Sequence, residues 1–268
     1  MSVYQAVAKL EDENEAGALC TVVRTIGSTP RGPASKMLVY PDGRQSGTIG
    51  GGEMENRVIQ EALQAMQDGK TRLVEYNLGD TDRGDPGVCD GQMEIYVEPI
   101  IPTPAVVVIG CGHVGKAVAR LAKWLNFRVL VSDDREELCN PEQVPDADGY
   151  YPIQMRELPE HLKINSWTYI VLTTRGVDID VPGLPGLLDS PAAYIGVIGS
   201  RRRWETTSNQ LLELGVSEEV LGRIHSPMGL DLGAETPEEI ALSILAEIIL
   251  VQRGGSTSSK KLSDKNRN

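Results

Sequence analysis

The stretch AVVVIGCGHVGKAVARLAKWLNFRVLVSD, residues 105–133, decides the fold class. AVVVI is a short apolar run of the kind that forms a buried strand, and RVLVS is a second. Between them lie three glycines, Gly110, Gly112 and Gly115, and a helix-forming run. Each glycine has a mechanical role in such a turn. The first permits a tight reversal, the second lets a pyrophosphate approach the backbone, and the third lets the helix pack on the strand. The helix start then offers unpaired N–H groups and a positive dipole end to phosphate. Asp133 comes 23 residues after Gly110, close to where a ribose-binding acid belongs. The reading predicts a Rossmann-like unit, with Gly110, Gly112, His113, Gly115 and Asp133 as cofactor-binding residues and NAD(P) or another nucleotide as ligand. Asp133 reads equally as a strand-end residue that caps the next helix.

Downstream, strands and helices alternate, which favours a doubly wound parallel sheet. The strands are YIVLTT and AYIGVIG, and helices start near Ser200 and Thr236. In ETPEEIALSILAEIILVQ, Thr236 is a candidate N-cap, Pro237 sits at the first helical position and Glu239 completes a capping box. Ligands of open parallel sheets lie past the carboxyl ends of the strands. Residues 110–115, Asp133 with Asp134 and Arg135, residues 173–175 and residues 199–203 are expected to meet there. GSRRRW puts three arginines after a strand-end glycine. Gly199, Ser200 and Arg201 are therefore candidates for anion capture, against the alternative of a solvated charged face.

The first part of the chain is mixed α/β. GSTPRGPAS, residues 27–35, is a loop, and KMLVYPDGRQSGTI reads as a hairpin. Gly50, Gly51 and Gly52 then lead into a helix whose apolar residues Met54, Val58, Ile59, Ala62, Leu63 and Met66 repeat at helical spacing. Their N–H groups suit an anion nest. Glu53 and Glu55 already complement the helix dipole and oppose a bare phosphate. Arg31 restores positive potential if the two loops converge. Strands TRLVEYNL and QMEIYVEPI flank a polar loop at residues 79–91 that carries Cys89. The three prolines of EPIIPTP mark a boundary. The expected division is residues 1–101, residues 102–252 and a polar, disordered tail at 253–268.

Composition narrows the function classes. The chain has 268 residues, 40% of them hydrophobic, with one Phe and three Trp, so its core is mainly aliphatic. A formal net charge of −12 argues against nucleic acid and anionic lipid as partners. The N-terminus shows no secretory pattern and no apolar run is long enough to span a bilayer, which points to the cytoplasm. The four cysteines and three histidines show no zinc or iron–sulfur spacing. No tyrosine is followed four residues later by lysine, and no His–acid pair stands out. An oxidoreductase site is therefore not evident, although an NAD(P)-dependent oxidoreductase and a non-catalytic nucleotide sensor both remain alternatives.

Taken in order, GSTPRGPASKMLVY, GTIGGGEMENRVIQEA, the Cys89 loop, VIGCGHVGKAVARLA, SDDREE, YIGVIGSRRR and PMGLDLGAETPEEIALSILAE resemble the XdhC/CoxI family over nearly the whole chain. The resemblance implies an XdhC/CoxI-type domain followed by a Rossmann domain. It implies an accessory protein that binds molybdenum cofactor, supports its sulfuration by a cysteine desulfurase and delivers it to a xanthine dehydrogenase-type molybdenum hydroxylase. Dimerisation is common in the family, and a homodimer is expected. The resemblance makes Cys89 the thiol that faces the metal, with Arg31 and the turn at residues 50–52, together with Glu53, receiving the phosphate or the pterin edge. Two departures stand out. Members often have Cys-Gly-Gly where this chain has Cys89-Asp90-Gly91, and an acid beside a thiol raises its pKa. Members also often carry Thr-His-Asp where this chain has Thr173-Thr174-Arg175.

Overall fold

The computed structural model describes residues 1–78 and 91–256 and divides into two compact units, one ending at Pro102 and one beginning at Thr103. Part of the expected tail, residues 257–268, lies outside the described residues.

The first unit starts with α1 (Val3–Asp12), closed by a capping box between Ser2 and Gln5. Then come β1 (Gly17–Ile26), β2 (Lys36–Val39), β3 (Gln45–Gly47), α2 (Gly52–Asp68), β4 (Arg72–Asn77) and β5 (Gln92–Ile100). The strands form one antiparallel sheet in the order β3-β2-β1-β5-β4. α2 packs against β5 and β1 and buries Met54, Val58, Ala62 and Met66 of the stripe read from the sequence, together with Ala65, while Ile59 and Leu63 of that stripe are only half-buried. Gly69 stops it in the left-handed region at φ 67°, where glycine carries no Cβ penalty. Cys20 is wholly buried on β1, and burial pushes its thiol up to about 12.

The second unit comprises β6 (Ala105–Ile109), α3 (His113–Trp124), β7 (Arg128–Ser132), β8 (Gly149–Tyr151), α4 (Leu158–His161) and β9 (Thr168–Leu172). It continues with α5 (Val177–Leu188), β10 (Tyr194–Val197), α6 (Arg201–Glu213), α7 (Glu218–Leu221), β11 (Ile224–His225) and α8 (Pro237–Arg253). All six strands are parallel, in the order β11-β10-β9-β6-β7-β8. Counted from the start of the unit this is 6-5-4-1-2-3, the Rossmann order, whose switch point lies between β6 and β9. β6 is buried along its length because helices cover both faces of the sheet. Val106 and Val108 face the helices α3 and α8, with Ala119, Ala122, Ile244 and Ile248. Val107 and Ile109 face the opposite layer, with Leu158, Leu184, Leu187 and Leu211.

The capping box at Thr236 and Glu239 is present, with Pro237 in the first turn. α5 is not legible in the sequence. Pro182 and Pro185 sit inside it and would ordinarily be read as breaking a helix. Its length is held by packing, since Gly183, Leu184, Leu187 and Leu188 are all buried. A Cβ on Gly183 would fall 2.2 Å from Met155, so only glycine admits the short 3₁₀ segment Met155–Glu157 at this point.

The glycine turn has the division of labour expected of its spacing. Gly110 adopts φ 106°, and a Cβ there would meet the Thr173 carbonyl at 2.6 Å. A Cβ on Gly115 would lie 1.9 Å from the Gly110 carbonyl oxygen. A Cβ on Gly112 would meet nothing within 4 Å. Gly115→Ala is therefore expected to cost about 3 kcal/mol of unfolding free energy through backbone displacement. Gly112→Ala should stay within about 1 kcal/mol. Urea denaturation of the two variants side by side checks the contrast.

Candidate functional site

In the first unit, the loop at residues 28–30 lies against the glycine turn on one side and against Gly91 on the other. The Pro30 ring packs against Gly50, so close that a Cβ on Gly50 would sit 2.7 Å from it. Gly91 lies against neighbouring residues of the same loop, where an added Cβ would reach the Ser28 carbonyl at 2.1 Å. The GSTPR loop is thus wedged between Gly50 and the strand start at Gly91. Cys89 and Asp90 are two residues and one residue before Gly91 in the chain and lie outside the described residues.

The nest at this turn is partly filled from within. The Glu55 carboxylate accepts from Ile49 N–H at 2.9 Å, Gly50 N–H at 3.1 Å and the Thr48 hydroxyl at 2.5 Å on one oxygen. The Gln45 amide donates to its other oxygen at 3.0 Å. Burial would push this carboxyl up, but the donors from Thr48, Gln45, Ile49 and Gly50 outweigh it and hold it below the usual glutamate value. Gly50 is therefore committed to an internal acid. Gly51 and Gly52, at φ 98° and 70°, have open space where a side chain would be. Glu53 pairs with Arg57 at 3.6 Å on the helix surface, and Arg31 is exposed.

In the second unit, a cavity of ≈ 280 Å³ opens past the carboxyl ends of β6, β7 and β9. Ile109, Ile153, Met155, Ile179 and Pro182 supply apolar wall, and Asp133, Asp134, Arg135, Arg156, Arg175 and Asp178 supply charge. Gly110 lines it, whereas Gly112, His113 and Gly115 are not part of its wall. His113 is exposed at the first position of α3.

Asp133 is only 4% exposed, and the protein itself satisfies it. One oxygen accepts Arg135 N–H at 3.0 Å and Arg135 Nε at 2.8 Å. The other accepts Cys111 N–H at 2.8 Å and Arg135 Nη2 at 2.9 Å. Four donors match the four lone-pair sites of a carboxylate. Beside it, Arg175 makes a two-pronged pair with Asp134, at 2.7 and 2.8 Å. That pair joins the segment after β7 to the segment after β9, and β6 lies between those strands. The Arg175 guanidinium, through its hydrogen bond, holds the Asp134 carboxyl down to about 2. Ser132, wholly buried in the cavity wall, has a hydroxyl with no hydrogen-bond partner among the described residues.

The arginine run divides. Arg201 and Arg202 are exposed and do not line the cavity, and the Ser200 hydroxyl caps α6 by accepting from Arg203 N–H. Gly199, at φ 140°, packs against the Arg203 side chain. Arg203 turns inward. Its Nη2 lies 2.6 Å from the fully buried Asp180, and its Nη1 donates to the Thr174 carbonyl at 3.0 Å. The Thr174 hydroxyl also donates to Asp180. The positions that depart from Thr-His-Asp are thus used by Thr174 for this buried network and by Arg175 for the bridge to Asp134.

Three features escape sequence reasoning. The expectation that the chain lacks a His–acid pair is corrected: His225 Nδ1 lies 3.1 Å from Glu247. The same carboxylate accepts Tyr194 O–H at 2.6 Å and Gly229 N–H at 2.7 Å. The partners are 22 residues apart, on β11 and α8, beyond any local spacing rule, and His225 does not line the cavity. Asp180 with Arg203 is a second such pair. Cys111 is the third. Buried beside Cys139, it is held protonated by the hydrogen bond it donates to that partner and by desolvation, both of which push its thiol up and leave little nucleophilic thiolate.

Among the described residues no group of His, Cys, Asp and Glu has the makings of a metal site, and no helix is long and apolar enough to cross a membrane.

Two of these carboxylates are open to direct test. Because the folded-state pKa of Asp134 is depressed, its contribution to stability is present above about pH 4 and is lost as the pH falls toward 2. Arg175→Ala should return the carboxyl to about 4 in a carboxyl-carbon NMR titration. Glu55→Ala strands the Ile49 and Gly50 N–H groups and should cost about 2–3 kcal/mol in chemical denaturation.

Comparison with known proteins agrees with this architecture. The XdhC Rossmann domain model matches residues 106–248, and the XdhC and CoxI family model matches residues 10–77. An uncharacterized protein, YqeB, of Escherichia coli is 38% identical over 94% of this chain and 46% of its own length. A Bacillus subtilis protein described as a probable xanthine dehydrogenase subunit is 29% identical over 61% of this chain and 48% of its own length. The chain thus spans about half the length of these two relatives. The molybdenum cofactor insertion chaperone PaoD of Escherichia coli is 24% identical over 89% of this chain and 84% of its own. A crystal structure described as a xanthine dehydrogenase from Bacillus halodurans shares the fold, with a TM-score of 0.51 at 21% identity over 97% of this chain and 98% of that one. With the glycine turn, the parallel sheet in Rossmann order and both family models in register on the two units, the chain belongs to the XdhC/CoxI family.

Proposed function

We propose that this chain is a cytoplasmic accessory protein that binds molybdenum cofactor in its first unit, supports its sulfuration by a cysteine desulfurase and inserts it into a xanthine dehydrogenase-type hydroxylase. The observation that carries the reading is the contact of the loop at residues 28–30 with Gly50 on one side and Gly91 on the other, with Cys89 two residues along the chain from Gly91. The relative named as a molybdenum cofactor insertion chaperone, aligned over 89% of the chain, supports it. The residues fit such a ligand in a restricted way. Gly51 and Gly52 leave space for a close approach, and Arg31 offers an exposed cation to the terminal phosphate. The Ile49 and Gly50 N–H groups serve Glu55 and are not part of the cradle. The cofactor, when bound, supplies the metal and its dithiolene. The chain supplies the cradle, the cation and the thiol of Cys89, and a homodimer is the proposed working form.

A second reading gives the Rossmann unit a nucleotide to read, as a sensor that adjusts partner binding or as an oxidoreductase. It is favoured by the open space at Gly112 and by the Ser132 hydroxyl in the cavity wall, which has no partner among the described residues. The sensor form binds nucleotide without turnover, and the oxidoreductase form exchanges hydride with a carbonyl substrate.

Protein purified without oxygen and loaded with molybdenum cofactor tests the first reading. Molybdenum is counted by elemental analysis and the pterin by fluorescence after oxidation. Cys89→Ser should lose most of the metal, and Arg31→Ala should weaken retention of the pterin, with unchanged circular dichroism in both. Metal retention by Cys89→Ser equal to that of the unaltered chain removes the thiol from the mechanism.

A further inference from the structure

We infer that the cavity of the second unit selects a nucleotide carrying an extra phosphate on its ribose over one with a free ribose diol. The inference rests on the nucleotide reading of that unit and names the ligand class its geometry favours.

The argument starts from Asp133. An acid at the end of the second strand of such a unit accepts the ribose hydroxyls when its lone pairs are free. Here Cys111 N–H and three donors of Arg135 take all four. A diol would have to displace a two-pronged, charge-assisted pair, and such pairs are among the stronger hydrogen-bonded contacts. The diol would gain two neutral hydrogen bonds in exchange.

A phosphate needs no such displacement. A guanidinium carries five N–H donors. Arg135 directs Nε and one Nη2 hydrogen to Asp133, which leaves Nη1 and the second Nη2 hydrogen available. Arg175 binds Asp134 through Nη1 and Nη2, and its Nε makes no bond to that acid. Arg156 has no ion-pair partner among the described residues and stands in the same wall. Three guanidiniums therefore reach one cavity, two of them already oriented by neighbouring carboxylates. Asp133 and Asp134, each paired, oppose an anion less than bare carboxylates would. Asp178 is the remaining acid in the wall.

The rest of the cavity suits a nucleoside. Ile153, Met155, Ile179 and Pro182 offer apolar surface for the flat faces of a base. The buried Ser132 hydroxyl lacks a partner among the described residues, which is costly unless a ligand supplies one. The cavity adjoins Gly110, so a ligand there continues toward the turn where Gly112 leaves the backbone open.

Isothermal titration of the full chain with adenosine 2′,5′-bisphosphate and with 5′-AMP tests the inference. The bisphosphate should bind at least about tenfold more tightly. Arg156→Ala, an exposed position outside the core, should erase most of that advantage. Arg135→Ala should reverse it, because freeing the Asp133 carboxylate opens an acceptor for the diol, so 5′-AMP affinity rises as bisphosphate affinity falls. Equal or tighter binding of 5′-AMP to the unaltered chain overturns the inference while leaving the nucleotide reading in place. Binding of neither ligand at millimolar concentration overturns both.

Discussion

The close approach of Gly115 to the Gly110 carbonyl is the constraint on which the second unit depends. With no Cβ at either position, α3 rests directly on the end of β6, and the strand end in turn rests on Thr173. That contact sets the depth of the crevice. It also fixes where Cys111 N–H points, and so which acceptor is placed opposite it. Asp133 meets that N–H and draws Arg135 down beside it. The arrangement of charge around the cavity is thus a consequence of backbone sterics at two glycines, and the polar groups follow.

Much of this is legible in the sequence because it is local. A strand, a three-glycine turn and a helix succeed one another within residues 105–124, and the periodicity that marks them needs no partner elsewhere. The Thr236 cap is equally local, since its signal sits within four residues. The helical stripe of α2 is readable for the same reason. The features that escape reading are settled by partners far along the chain. α5 carries two prolines and becomes a helix because Leu184, Leu187 and Leu188 are buried in the apolar layer beneath the sheet. Arg203 reads as one of three equivalent arginines until Asp180, 23 residues earlier, claims it. His225 meets Glu247 only once β11 and α8 are side by side.

The two glycine turns, which look alike as text, solve different physical problems. The turn at residues 110–115 packs two elements and leaves its middle glycine facing open space. The turn at residues 48–52 folds back on the first turn of its own helix and donates to Glu55. The difference lies in a single side chain. Glu55 sits where the helix can return its carboxylate to the preceding N–H groups, whereas α3 has no acid in its first turn. Glu55 is recognisable from the sequence as a dipole-complementing residue. That it also saturates the loop's donors depends on a loop conformation that one-dimensional spacing does not encode.

The placement of α8 has a consequence for biosynthesis. It covers the same sheet face as α3, with Ala241, Ile244, Leu245 and Ile248 closing over Val106, Val108, Val129 and Val131. Those valines leave the ribosome more than a hundred residues before the helix that shields them. The first unit, whose sheet and covering helices all lie before Thr103, has no such wait. The nascent second unit therefore carries a bare aliphatic surface for most of its translation, and that is the window in which a holdase would matter most to it.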